Sequence, residues 1–144
     1  MKKVVVTGLG AVTAIGATIP DFWDNLVNGK CGMKKITRIS VEEHDTTVAA
    51  EVDEAYQTEV SKYWKKRQLS STTASAQFGL ASAGEAVTDC GVDMTAYDPS
   101  KVGVIFGVIG TVYEDAEREK KNNITLKKMP NGIPALIALK YGFQ

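Results

Sequence analysis

A short β-branched run followed at once by closely spaced glycines constrains this chain more than any other feature. Val4-Val5-Val6 is too short for a helix and suits a strand buried on both faces. Gly8 and Gly10 then let the backbone bend sharply or pass close to a neighbour without a Cβ clash. The next segment predicts a short helix, with Thr18 as N-cap, Pro20 in the first turn and Gly29 as the stop. A second helix is predicted over residues 71–90. It is rich in Ala, Ser and Gly, with Phe78, Leu80 and Val87 as its bulky exceptions. Small residues around most of a helix suit close packing inside a protein. Ser70 or Ser71 is the expected N-cap of this helix.

Strand, glycine bend and a helix carrying Phe22-Trp23 and ending in Gly29-Lys30 resemble the opening of a β-ketoacyl-acyl-carrier-protein synthase, a condensing enzyme of the thiolase fold. Six further segments are similar to that family in its order. Ile36-Thr37-Arg38-Ile39 and Val48-Ala49-Ala50-Glu51-Val52 stand for "I-T-R-F" and "A-G-E-V". Residues 77–86 resemble the buried "Q-F-A-L-A-A-A-R-E-A" helix, and residues 98–107 resemble the "D-P-x-R-V-G-V-x-x-G" strand. Met129-Pro130-Asn131 and Tyr141-Gly142-Phe143 match "I-P-N" and "Y-G-L/F".

The resemblance implies an α/β chain with a partial thiolase-like layered fold, residues 1–144 forming the N-terminal part of the first half of a ketosynthase. The family's nucleophile is a cysteine in "A-C-x-S/G", just beyond the Y-G-L/F segment, and its histidine, asparagine and lysine partners lie further on. No catalytic residue is therefore expected within this chain. Two explanations remain open: a natural N-terminal polypeptide with a separate partner, or a truncation. Val4–Val6 and Val102–Phe106, read as strands, would then present edges and faces with nothing to cover them.

The family's acyl pocket is lined by a Gly-rich "G-S-G-I-G-G" stretch near the dimer interface. Here that stretch reads Gly107-Val108-Ile109-Gly110-Thr111-Val112, and the spacer to Asn131 is shorter by several residues. Gly107, Val108, Ile109, Gly110, Thr111, Met129 and Asn131 are thus the pocket or interface candidates. Val108 or Ile109 would be the gate, or else both are core residues ending a strand. Asn122 to Lys127 replaces the family's "S-P-F-F" element, and the basic-acidic segment before the second helix has lost its Asp. Both departures suit a divergent branch, such as a polyketide or aryl-polyene ketosynthase. The implied chemistry is decarboxylative Claisen condensation of acyl and malonyl carrier-protein thioesters, in fatty-acid or polyketide biosynthesis. It needs no metal or organic cofactor of its own. Implied partners are the C-terminal remainder, an acyl carrier protein, and a second ketosynthase or a chain-length factor in a dimer. A non-catalytic chain-length-factor-type homologue and an inactive structural fragment are the alternatives.

Composition agrees with a folded chain. Of its residues 44% are hydrophobic and 24% charged, and 17 basic side chains balance 17 acidic ones. That neutrality argues against a nucleic-acid or membrane surface. No apolar run reaches membrane-spanning length, and no export signal precedes the first strand, so a cytoplasmic location, in a bacterium or the interior of an organelle, is expected. Lys62, Lys65, Lys66 and Arg67, with Tyr63 and Trp64 interleaved, read as a solvated helix face with an aromatic anchor, or as a docking patch for an acidic carrier. Lys120, Lys121, Lys127 and Lys128 compete for that role. Cys31 and Cys90 have no metal spacing, and Cys90 sits at the wrong helix pole for a reactive thiolate. His44, within Glu42-Glu43-His44-Asp45, reads as a surface histidine. Gly8-x-Gly10 also hints at a dinucleotide fingerprint, but Thr13 stands where its third glycine belongs.

Overall fold

The computed structural model describes residues 3–70, 72–109, 129 and 131–143. The first helix, α1 (Ile19–Val27), begins as its sequence requires. The Thr18 hydroxyl accepts the Asp21 amide at 3.3 Å, Pro20 occupies the first turn, and Gly29 leaves the helix with φ +69°. An antiparallel pair follows, β1 (Lys34–Lys35) with β2 (Val48–Ala49), Lys34 opposite Ala49 and Lys35 opposite Val48. Glu51 closes the loop beyond it, accepting the Thr37 amide at 3.0 Å, the Thr37 hydroxyl at 2.8 Å and the Arg38 amide at 3.1 Å. Then come α2 (Ala55–Tyr63), the single turn α3 (Lys66–Leu69), the long α4 (Ala74–Asp89) and, nearer the C-terminus, α5 (Gly132–Tyr141).

The helix predicted over 71–90 is α4, capped by Thr73 rather than by Ser70 or Ser71. The Thr73 hydroxyl accepts the Ala76 amide at 3.2 Å. Ser70 is engaged in ending α3: its amide bonds to the Lys66 carbonyl and its hydroxyl to the Arg67 carbonyl at 2.9 Å. Ser71 lies outside the described residues.

Helix α4 is the centre of the molecule. Leu80, Ala81 and Gly84 are its buried residues, and Leu80 and Ala81 meet Val60 and Trp64 from the α2 side and Ile133 and Ile137 from α5. Burying a Leu, Val or Ile side chain of this kind contributes roughly 1.5–3 kcal/mol each. The buried Trp64 indole also donates Nε1–H to the Leu80 carbonyl at 2.9 Å, and Tyr56 meets Phe78 edge-on with centroids 4.7 Å apart. Small residues let neighbours come unusually close. A Cβ on Gly84 would lie 2.4 Å from Cγ of Tyr63.

The N-terminal segment lies along another edge of α4. A Cβ on Gly10 would fall 1.9 Å from the Ser82 carbonyl oxygen, and one on Gly8 would fall 2.1 Å from that of Ala86. The glycines are needed for this close approach. Two α4 carboxylates fasten the segment: Asp89 accepts the Leu9 amide at 2.9 Å, while Glu85 accepts the Ala11 amide at 3.0 Å and the Ile19 amide at 2.8 Å.

The two predicted strands are not strands here. Among the described residues the one regular sheet is the β1–β2 pair. Among the described residues, Val4–Val6 and Val102–Phe106 find no neighbouring strand to complete a ladder. Residues 102–109 keep the period of a strand: Val102, Val104, Phe106 and Val108 are half-buried, while Gly103, Ile105, Gly107 and Ile109 are exposed. Val4 is 96% exposed and Ile105 94%, so the outer faces of both segments lie bare.

Two outcomes follow. Gly10→Ala must push the N-terminal segment off α4, and urea unfolding should show a loss of about 1–3 kcal/mol. Glu51 has its pKa held below the ordinary glutamate value, first by the Thr37 amide and then by the Thr37 hydroxyl. Its folded pKa lies under its unfolded one, so its contribution is present above the ordinary carboxylate range and is lost as pH falls through the lowered pKa. The Thr37 and Arg38 amide resonances should therefore shift together on acidification, with a midpoint below that of an unstructured glutamate.

Candidate functional site

Gly107, Val108 and Ile109 end the alternating segment beside the first turns of α4. With Thr73, Ser75, Ala76, Gly79, Phe106 and Ile133 they line an open cleft of about 250 Å³. Gly79 makes the floor: a Cβ there would lie 3.0 Å from both Ile133 Cγ2 and Phe106 Cε1. No acid, base or thiol lines this cleft among the described residues, so its own chemistry is apolar contact plus the Thr73 and Ser75 hydroxyls. Its shape suits a hydrocarbon chain better than a charged group.

The candidates separate within this geometry. Val108 packs against the core cluster, whereas Ile109 is fully exposed. Met129 is exposed, and Asn131 precedes α5 as its N-cap without a capping bond from its side chain. Neither of those two residues lines the cleft. Gly110 and Thr111 lie outside the described residues. Reasoning from the sequence missed Phe106 and Gly79 as lining residues. The sequence reads Phe106 only as part of a strand, and nothing in it shows which helix that residue would meet.

The other groups singled out in the sequence stand apart from the cleft. Cys31 is exposed, and Cys90 caps the C-terminal end of α4 with its thiol donating to the Val87 carbonyl at 3.0 Å. His44 is exposed, and no three His, Cys, Asp or Glu side chains among the described residues are grouped to hold a metal. Gly8-x-Gly10 does not cradle phosphate, because the Leu9 and Ala11 amides are already taken by Asp89 and Glu85. On the basic stretch Trp64 is buried as an anchor, Lys62 pairs with Glu59 at 2.6 Å, and Lys65, Lys66 and Arg67 face solvent.

Residues 1–144 match the family description "Beta-ketoacyl synthase, N-terminal domain" over the whole chain. This chain belongs to the beta-ketoacyl synthase family. It is 34% identical over 106 residues to 3-oxoacyl-[acyl-carrier-protein] synthase 2 of Coxiella burnetii, a match covering 74% of this chain and 25% of that protein. The protein of the same name from Synechocystis sp. is 28% identical over 140 residues, covering 95% and 33%. Among solved structures, a beta-ketoacyl synthase from Burkholderia phymatum superposes with a TM-score of 0.75 at 18% identity, over 99% of this chain and 38% of that one. A type II polyketide ketosynthase, solved with its acyl carrier protein, superposes with a TM-score of 0.69 at 16% identity, over 100% and 41%. The fold is thus a partial thiolase-like layered α/β fold. The chain spans a quarter to a third of the length of these curated relatives.

Filling the cleft floor tests how tightly this ketosynthase domain is packed there. Gly79→Val should displace Phe106 and Ile133 and cost about 1–3 kcal/mol in thermal or urea unfolding, with the Phe106 ring resonances moving most.

Proposed function

We propose that residues 1–144 serve as the N-terminal part of the first domain of a ketosynthase that condenses acyl and malonyl carrier-protein thioesters. The match of the entire chain to the synthase domain carries this reading. The matched relatives bear the name of the synthase itself, which favours a catalytic assembly over a chain-length factor. In such an assembly a cysteine outside these residues takes the acyl group from a carrier thioester, releasing the carrier thiol. Malonyl-carrier then loses carbon dioxide, and the resulting carbanion attacks the acyl-enzyme carbonyl, expelling the cysteine thiolate. Backbone amides stabilise the oxyanion.

In this reading the chain contributes wall rather than chemistry. Gly107, Val108 and Ile109 border the acyl-binding region, and Ile109 projects as the gate. The bare faces of Val4–Val6 and Ile105 are where the remainder of the ketosynthase adds its strands. Lys65, Lys66 and Arg67 receive the acidic carrier protein. A dimeric, cytoplasmic enzyme in fatty-acid or polyketide synthesis belongs to the same proposal. Among the described residues no helix is long and apolar enough to cross a membrane.

Intact-mass measurement on the native sample tests the assembly. The expected result is an A-C-x-S/G cysteine, on the same polypeptide or on a co-eluting one, with condensation of acyl and malonyl carrier thioesters by the native sample. Another residue at the nucleophile position, or a sample that does not condense, would overturn the proposal. Reversing Lys65, Lys66 and Arg67 to Glu should raise the KM for carrier-bound substrate by about tenfold or more while leaving kcat near its original value.

A further inference from the structure

One carboxylate fastens two separate points of the N-terminal segment. Glu85, half-buried on α4, accepts the Ala11 amide on Oε2 at 3.0 Å and the Ile19 amide on Oε1 at 2.8 Å. Between these points the chain closes on itself. Thr13 and Gly16 form a backbone bridge, and the Ile15 amide donates to the Thr13 hydroxyl at 3.2 Å. Asn25, on α1, donates its side-chain amide to the Ile15 carbonyl. A Cβ on Gly16 would lie 2.3 Å from the Phe22 amide nitrogen, so turn and helix are pressed together. Residues 11–27 are therefore one internally bonded unit.

That unit has little apolar anchorage. Helix α1 contains no buried residue, and its Trp23, Leu26 and Val27 are exposed. Val12, half-buried against the core, and the buried Ala17 are its apolar footholds. Among the described residues, its hydrogen bonds to α4 both end on Glu85, with Asp89 holding Leu9 just ahead of it. The same carboxylate completes the start of α1. Thr18 serves the Asp21 amide through its hydroxyl and the Phe22 amide through its carbonyl, and Pro20 has no amide hydrogen. Ile19 is the remaining donor of that turn, and a negative charge at this end also suits the helix dipole. Loss of the Glu85 acceptor thus frees both ends of the turn and uncaps α1 at once.

We infer that residues 11–27 are a detachable strap on α4, with Glu85 as its latch, and that the strap opens as one unit while α2, α4 and α5 stay packed. The core does not draw on the strap's polar bonds: Leu80 and Ala81 meet Val60, Trp64, Ile133 and Ile137. Opening lifts Gly10 from the Ser82 carbonyl and uncovers that edge of α4. The inference concerns contacts within this chain alone and does not depend on the condensing reading.

Native-state hydrogen exchange of the native protein in low urea tests it. The Ala11, Ile19 and α1 amides should share one protection factor and one urea dependence, both smaller than those of Leu80 and Ile137. Glu85→Gln keeps the side chain's shape but leaves one acceptor oxygen for two amides. It should speed exchange of the whole set by about tenfold or more, as loss of a hydrogen bond to a charged group would give, with Leu80 and Ile137 unchanged. Acceleration confined to Ala11 and Ile19, or absent, would overturn the latch. Equal acceleration at Leu80 and Ile137 would do the same, because Glu85 would then support the whole fold. Should the variant not fold, the unsubstituted protein still decides: α1 amides with the urea dependence of Leu80 and Ile137 would rule out a separate strap.

Discussion

Glycines bring backbone and ring against α4 at separations that no side chain could share. Gly8 and Gly10 press the N-terminal segment onto the Ser82–Ala86–Cys90 edge, and Gly84 seats the Tyr63 ring. Because those contacts are so close, the helix can be enclosed on several sides at once. Leu80 and Ala81 meet α2 and α5 on one side, while Glu85 and Asp89 hold the segment before α1 on another. The carboxylates matter for the same reason. Backbone amides brought this near an apolar helix need acceptors, and α4 supplies them from its own side chains.

The same packing leaves other surfaces unmatched. Residues 102–109 rest their inner side chains on the core through Val104, Phe106 and Val108 while Ile105 and Ile109 face outward. Val4–Val6 are bare as well. A β-branched segment gains little from extension alone; it needs ladder partners and a covered face. Contiguous apolar surface of this kind marks a contact still to be made. The cleft under Gly107–Ile109 belongs to that boundary, since one wall is the core and the opposite side is open.

Most local structure was legible in the residues. Thr18, Pro20 and Gly29 bounded α1 as capping chemistry demands, and the small-residue stretch announced a tightly enclosed helix. The cap of α4 was not legible. Ser70, Ser71 and Thr73 are all competent, and the choice fell to Thr73 because α3, a single turn, already engages Ser70. The dinucleotide hint failed for a related reason. Two glycines after a β-branched run look alike whether their amides face a phosphate or a carboxylate brought from 74 or 80 residues away.

By itself, the sequence determined α1 with its cap, the presence of α4 without its cap, the need for glycine at Gly8 and Gly10, and the family to which the chain belongs. These depend on neighbours along the chain or on motifs kept in order. Tertiary structure alone decided which backbone those glycines approach and that Phe106 and Gly79 share a cleft with Gly107–Ile109. It also decided that Lys140 meets Trp64 and Tyr63 across 76 and 77 positions. Such pairings are set by how helices pack on α4, and periodicity reports the face a residue occupies but not the element that will cover it.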